Sequence, residues 1–213
     1  MQTKHTSKFV SIILGIIFTL FFISAGLIFT INFRALYYYD IKALNIAKTS
    51  GYPVDVIREN YDALIDYCSP FFKGNLSFPT LPASREGLIH FQEVKDIFIL
   101  FYYVLVITSL LLLIALFLSK GKKVHFNLKL SAITTIVVPL IVAGACMIDF
   151  DQTFVIFHKL FFRNDYWLFD PATDPIIELL PSQFFLHCAM VIVLFVFLGA
   201  LLQYLFYARK NRK

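Results

Sequence analysis

Four long apolar runs, at residues 9–33, 97–118, 130–148 and 184–207, limit what this chain can fold into. A bilayer's hydrocarbon core is about 30 Å thick and takes roughly 20 helical residues to cross. Each run is long enough. Backbone N–H and C=O groups in lipid must find partners within their own segment, so each run must be helical. The remaining composition agrees: 59% of the 213 residues are hydrophobic and only 15% are charged, with a mean hydropathy of +0.74. A soluble domain carries more charge and less apolar surface. The expectation is an all-α membrane protein, one membrane domain over residues 1–213. It has four transmembrane helices and two helical, aromatic-rich extracytoplasmic segments, 34–96 and 149–183, packed at the outer membrane surface.

Charge fixes the orientation. The N-terminal flank (Lys4, Lys8), the short loop (Lys120, Lys122, Lys123, Lys129) and the C-terminal tail (Arg209, Lys210, Arg212, Lys213) hold ten of nineteen basic residues and no acid. All fourteen acids fall in the two long loops. Basic loops stay in the cytoplasm. Both termini are therefore expected there, with both long loops outside. The net charge of +5 follows from this topology and implies no nucleic-acid partner. The first run, too long for a cleaved signal, reads as an uncleaved signal anchor. The central turns of the spans hold no ionisable residue, and no pair of broken helices appears, which argues against a transporter.

The long loops are where chemistry can reside. In the first, Val54, Ile57, Tyr61, Leu64, Ile65 and Cys68 recur at helical spacing opposite Asp55, Glu59, Asp62 and Asp66, the pattern of an amphipathic helix. Ser84 is a good N-cap for a further helix that runs on into the second span. That helix carries His90, with Glu86 four residues before and Glu93 three after. These offsets place both carboxylates on the histidine's side, where they would orient the ring and raise its pKa. The second loop, Asp149 to Phe185, holds five aspartates, Glu178, the only Trp and His158, with three prolines fixing its path. So many aromatics and acids together predict a folded re-entrant or interfacial segment. His5 and His125 lie among lysines, and His187 begins the fourth span. Three cysteines make no disulfide framework, and Cys68 has no outside partner. HExxH, CxxC, GxSxG, P-loop and dinucleotide motifs are all missing from the sequence, and no metal is expected. His90 and His158, on the same side of the membrane, are the candidate catalytic pair.

Two stretches carry a sharper signal. Ser84-Arg85-Glu86, His90-Phe91 and Val94-Lys95 are followed, two spans later, by Phe157-His158, Phe161 through Trp167, Asp170-Pro171, Asp174 and Leu180-Pro181. This pattern resembles a family of small four-span bacterial membrane proteins that includes the lipoprotein intramolecular transacylase of Gram-positive bacteria. The resemblance covers nearly the whole chain in layout. It implies an acyltransferase that moves the sn-2 acyl chain of a diacylglyceryl lipoprotein to the α-amine of its N-terminal cysteine, giving the lyso form. It also implies that His90 and His158 are catalytic. The partners are then the lipoprotein and membrane lipids, and no cofactor is required, since ester and amine are on one molecule. An imidazole near neutrality can give or take the proton that aminolysis moves. The expected division of labour has His90, backed by Glu86 or Glu93, accepting the amine proton, and His158 protonating the departing oxygen or polarising the carbonyl. Arg163, Asn164 and Trp167 are candidates for oxyanion or headgroup contacts, and Asp170 for substrate support. Two other readings remain: a non-catalytic membrane protein binding lipoproteins or a partner complex through its aromatic surface, and a phospholipid acyltransferase or hydrolase.

Overall fold

The computed structural model describes residues 8–120 and 126–211. Lys4, Lys122, Lys123, Arg212 and Lys213 of the basic flanks, with His5 and His125, lie outside the described residues. Within the described residues the chain forms nine helices and no strand. Four are long and apolar enough to cross a membrane: α1 (Lys8–Asn32), α5 (Arg85–Lys120), α6 (Leu128–Ile148) and α9 (Ser182–Asn211). The protein is all-helical and membrane-integral in character. The shorter helices are α2 (Arg34–Ala43), α3 (Ile46–Ser50), α4 (Val54–Tyr67), α7 (Phe150–Phe161) and α8 (Ile176–Leu179).

The chain divides into two compact units. One takes residues up to 27, 102–144 and from 190 onward. Its helices meet through small residues, as helices in lipid do when no hydrophobic force drives them together. A Cβ on Gly199 would enter the Phe22 ring, and one on Gly26 would stand 3.1 Å from Phe195 Cβ. Buried polar groups join the same helices. Ser131 Oγ donates to Gln203 Oε1 at 2.7 Å, and Gln203 Nε2 donates to Thr135 Oγ1 at 3.1 Å. Pro139 lies inside α6, which stays helical on both sides of it.

The other unit, residues 28–101 and 145–189, has a packed core. Tyr37 stacks on Tyr61 with ring centroids 3.7 Å apart, and Phe184 meets both edge-on. The Tyr37 hydroxyl donates to the Leu179 carbonyl at 2.7 Å. The amphipathic reading of α4 holds: Ile57, Tyr61, Leu64 and Tyr67 are buried, while Asp62 and Asp66 pair with Arg34. The oily face covers protein, packing against α2 and α8. Buried Asp40 is held by His187 Nδ1, 2.9 Å from each carboxylate oxygen. Cys68 is buried in this core, and burial pushes its thiol up to about 12, so it is no nucleophile.

Candidate active site

Two local structures present the histidines. The first is the start of α5. Ser84 Oγ accepts from the Gly87 amide at 2.9 Å, satisfying one of the helix's open donors. The Ser84 amide itself donates to Asp174 Oδ1 at 2.8 Å, and Asp174 Oδ2 accepts from Thr173 Oγ1 at 2.7 Å. Gly87 makes this contact possible, because a Cβ there would collide with Asp174 Oδ1 and lie 3.0 Å from Phe169 Cε1. Less than two turns later comes His90, 4% exposed. It precedes the apolar part of α5, which begins at Ile97, by seven residues, or about 10 Å at roughly 1.5 Å per residue.

The second is α7. Asp149 caps it, accepting from the Gln152 amide at 2.9 Å. Phe154 and His158 are four residues apart and share a face. His158 Nδ1 lies 2.8 Å from the Phe154 carbonyl oxygen. A carbonyl only accepts, so Nδ1 bears the hydrogen, and in the neutral ring Nε2 carries a lone pair. His158 is 8% exposed.

The two imidazole rings lie with centroids 5.9 Å apart. Phe162 touches both, at 4.6 Å from His90 and 5.5 Å from His158. Phe169 packs edge-on against His90 at 5.5 Å, and Trp167 lies 4.9 Å from His158. Aromatic walls remove water from both rings, and a desolvated imidazole resists protonation. Burial first, then the other ring, pushes His90 down to about 4. Burial also lowers His158, although the Phe154 carbonyl opposes the shift.

The expected support of His90 by Glu86 and Glu93 is corrected here. The His90 pKa falls instead of rising, and neither carboxylate is among its causes. Glu86 is exposed in the first turn of α5. Glu93 Oε1 instead accepts from Asn164 Nδ2 at 2.8 Å, a residue 71 positions away. Helical spacing put the carboxylate on the correct side, and a tertiary partner then claimed it. Asn164 Oδ1 accepts from the Tyr166 amide at 3.1 Å, shaping the chain before Trp167. Arg163 is exposed. Asp170 is exposed too, and builds a turn: its Oδ1 accepts from the Ala172 amide at 2.9 Å and its carbonyl from the Asp174 amide at 2.8 Å. Asp174, which the sequence shows only as one position of the second motif, is what ties the second loop to the start of α5.

Three buried polar atoms around the histidines have no hydrogen-bond partner: His90 Nδ1, Glu93 Oε2 and Trp167 Nε1. Buried groups are normally satisfied, so such a cluster marks a place built for something else. Among the described residues no group of three or more His, Cys, Asp or Glu could hold a metal.

Apolar spans and two neutral, buried imidazoles define a membrane-integral protein equipped for proton transfer away from bulk water. A family model described as lipoprotein intramolecular transacylase Lit matches residues 12–185. The chain belongs to this family, and it is an acyltransferase. The in meso structure of the membrane-integral lipoprotein intramolecular transacylase Lit from Bacillus cereus is 38% identical. The match covers 96% of each chain with a TM-score of 0.89. Two further structures of that enzyme, with one histidine replaced by arginine or by alanine, match at 38% identity and a TM-score of 0.83. They cover 96% of this chain and 92% and 94% of theirs. No curated protein matches.

Proposed function

We propose that the protein moves the sn-2 acyl chain of a diacylglyceryl lipoprotein to the α-amino group of its N-terminal cysteine, leaving a lyso-form lipoprotein. The observation that carries this reading is the pair of buried imidazoles 5.9 Å apart within an aromatic wall. Ester and amine belong to one molecule, so the catalyst has mainly to hold them in attack geometry and move one proton. No enzyme nucleophile is needed.

His158 is the better base, so the amine proton goes to it and not to His90, while it keeps the expected role of protonating the departing oxygen. Its Nε2 lone pair is set by the Nδ1 bond to Phe154, and His90 is pushed further down. In the proposed sequence the neutral amine attacks the ester carbonyl and an N–C bond forms. The proton leaving nitrogen goes to His158 Nε2. The carbonyl oxygen becomes an oxyanion, held by the Trp167 Nε1–H and by an N–H of neutral His90. A neutral imidazole can serve as such a donor because its lowered pKa keeps it uncharged. Collapse breaks the C–O bond to glycerol, and His158 returns its proton to the departing oxygen. Protons and charge balance without cofactor or water. The charge asymmetry of the sequence supports cytoplasmic termini and a site at the extracytoplasmic face, where the acyl chain need not leave the bilayer.

The test is mass spectrometry of a lipoprotein's N-terminal peptide from cells lacking other N-acylating enzymes, with and without this protein. Conversion of diacylglyceryl-cysteine to its isobaric N-acyl lyso form, told apart by fragmentation, is expected. No conversion despite confirmed membrane expression overturns the reading.

The pH dependence carries a second signature. His158 acts as a base only when neutral, so activity is lost as pH falls through its pKa. Burial places that pKa below the ordinary 6.5. A free α-amine, with a pKa of about 7.7–8.0, loses its nucleophilic form first. The logarithm of kcat/KM should therefore fall about one decade per pH unit below the amine pKa. It should keep that slope through pH 6.5, steepening only below it. A histidine of ordinary pKa would double the slope at 6.5.

A further inference from the structure

We propose that Glu93 is the receptor for the substrate's α-ammonium group, with Asn164 holding the carboxylate in place. This rests on the transacylase reading of the same site and assigns it a cation subsite.

A buried carboxylate oxygen without a partner is costly, and proteins normally pair it or do not bury it. Glu93 Oε2 is such an oxygen. Its twin, Oε1, is fixed by Asn164 Nδ2, so the carboxylate cannot rotate to satisfy both atoms locally. The other carboxylates with ion-pair partners among the described residues are Asp62 and Asp66, held by Arg34, and Asp40, held by His187. Cations near in sequence do not reach Glu93: Lys95 Nζ lies over the Tyr67 and Phe72 rings and donates to the Phe72 carbonyl. Arg163, one residue before Asn164, is exposed. The two histidines are held neutral and supply no positive charge. None of these groups supplies Glu93 Oε2 with a counter-charge.

The missing partner must be a cation small enough to sit beside His90, one helical turn away on α5. An N-terminal α-ammonium, charged at neutral pH with three donors, fits, and it yields the attacking neutral amine by losing one proton to bulk solvent. The same carboxylate explains release. Once acylated, the nitrogen is a neutral amide with one N–H, and the ion pair is gone. An N-acylated lipoprotein is rejected for the same reason, by leaving a buried charge unpaired.

The test separates binding from turnover. A synthetic diacylglyceryl-cysteinyl peptide with an ether at sn-2 cannot react. Its affinity for the detergent-solubilised protein is compared with that of the same peptide lacking the amine. Wild type should prefer the amine ligand by about 10- to 100-fold, the range of a charge-assisted hydrogen bond. Glu93→Gln keeps the acceptor for Asn164 but presents an N–H to the ammonium. It should bring the preference to within about twofold. Glu93→Asp, which keeps the charge, should retain part of it. With the reactive ester, Glu93→Gln should raise KM without lowering kcat, as expected for loss of ground-state binding. Equal binding of the two ligands by wild type, or full preference in Glu93→Gln, overturns the proposal. If Glu93→Gln does not elute as a monodisperse species, wild type and Glu93→Asp decide. Wild type that converts the ester substrate yet shows no amine preference refutes only the ammonium subsite. Failure to convert refutes the transacylase reading.

Discussion

Replacing His158 by Asn is expected to lower the rate of acyl transfer by about 10³-fold, within the range found for loss of a general base. The choice of Asn matters. Its amide NH₂ stands close to where Nδ1 stood and can still donate to the Phe154 carbonyl. It has nothing at the Nε2 position. Gln reaches that position but offers the wrong group or the wrong basicity. Both variants should be inactive while the Asn form keeps its fold, checked by elution and melting in detergent. His90→Ala should cost less, roughly 10²-fold, since an oxyanion donor is lost and Trp167 Nε1 remains. The double variant should be little worse than His158→Asn alone, because residues acting on one step are not additive. An active His158→Asn variant would remove the base from the mechanism.

Gly87→Ala should be nearly as damaging, though residue 87 touches no substrate. The added methyl would overlap Asp174 Oδ1 and crowd Phe169, and Phe169 packs on both His90 and Phe91. Overpacking costs about 1–3 kcal/mol. The relief is a shift of the second loop against α5, which displaces the rings that must converge. A misplacement of about 1 Å can cost some 10²-fold in rate. Asp174, 3% exposed, is a positioning residue in the same contact. Asp174→Ala strands the part-buried Ser84 amide at about 1–3 kcal/mol, whereas Asp174→Asn keeps an oxygen for it and should stay within about threefold of wild type. The signature of positioning is a fall in kcat with little change in KM, rescued by Asn. Equal losses in Asp174→Ala and Asp174→Asn would mean that charge, not the hydrogen bond, matters there.

Much of this architecture could be read in the residues because its causes are local. Apolar length places the four long helices, and the 3.6-residue pattern of Val54 to Cys68 places α4. Ser84 marks the start of α5 from its side chain alone, and its oxygen does cap Gly87. What could not be read is set by distant partners. Glu93 lies three residues from His90, yet bonds Asn164. Asp174 resembles any turn aspartate, and its acceptor role is to an amide 90 residues earlier. The regular helix α7 was hidden differently: its run of phenylalanines suits an interfacial segment in any conformation. The Phe154–His158 interval was the available clue, an i,i+4 pair placing the histidine against a helical carbonyl. The distance between the histidines depends on both segments and on neither one's sequence alone.

The Tyr37, Tyr61 and Phe184 stack bears on how the molecule is made. These rings come from the beginning and the end of the chain, and the Tyr37 hydroxyl closes on a carbonyl from residue 179. Synthesis proceeds from the N-terminus, so early segments must wait for late ones. The oily face of α4 meets α2 within the first loop, but stays partly uncovered until α8 and the start of α9 emerge. A nascent chain halted before the last helix therefore has both histidine segments but lacks Phe184, the ring that closes the Tyr37–Tyr61 stack. The aromatic core that joins the first loop to the end of the second is thus completed only with the final stretch of insertion.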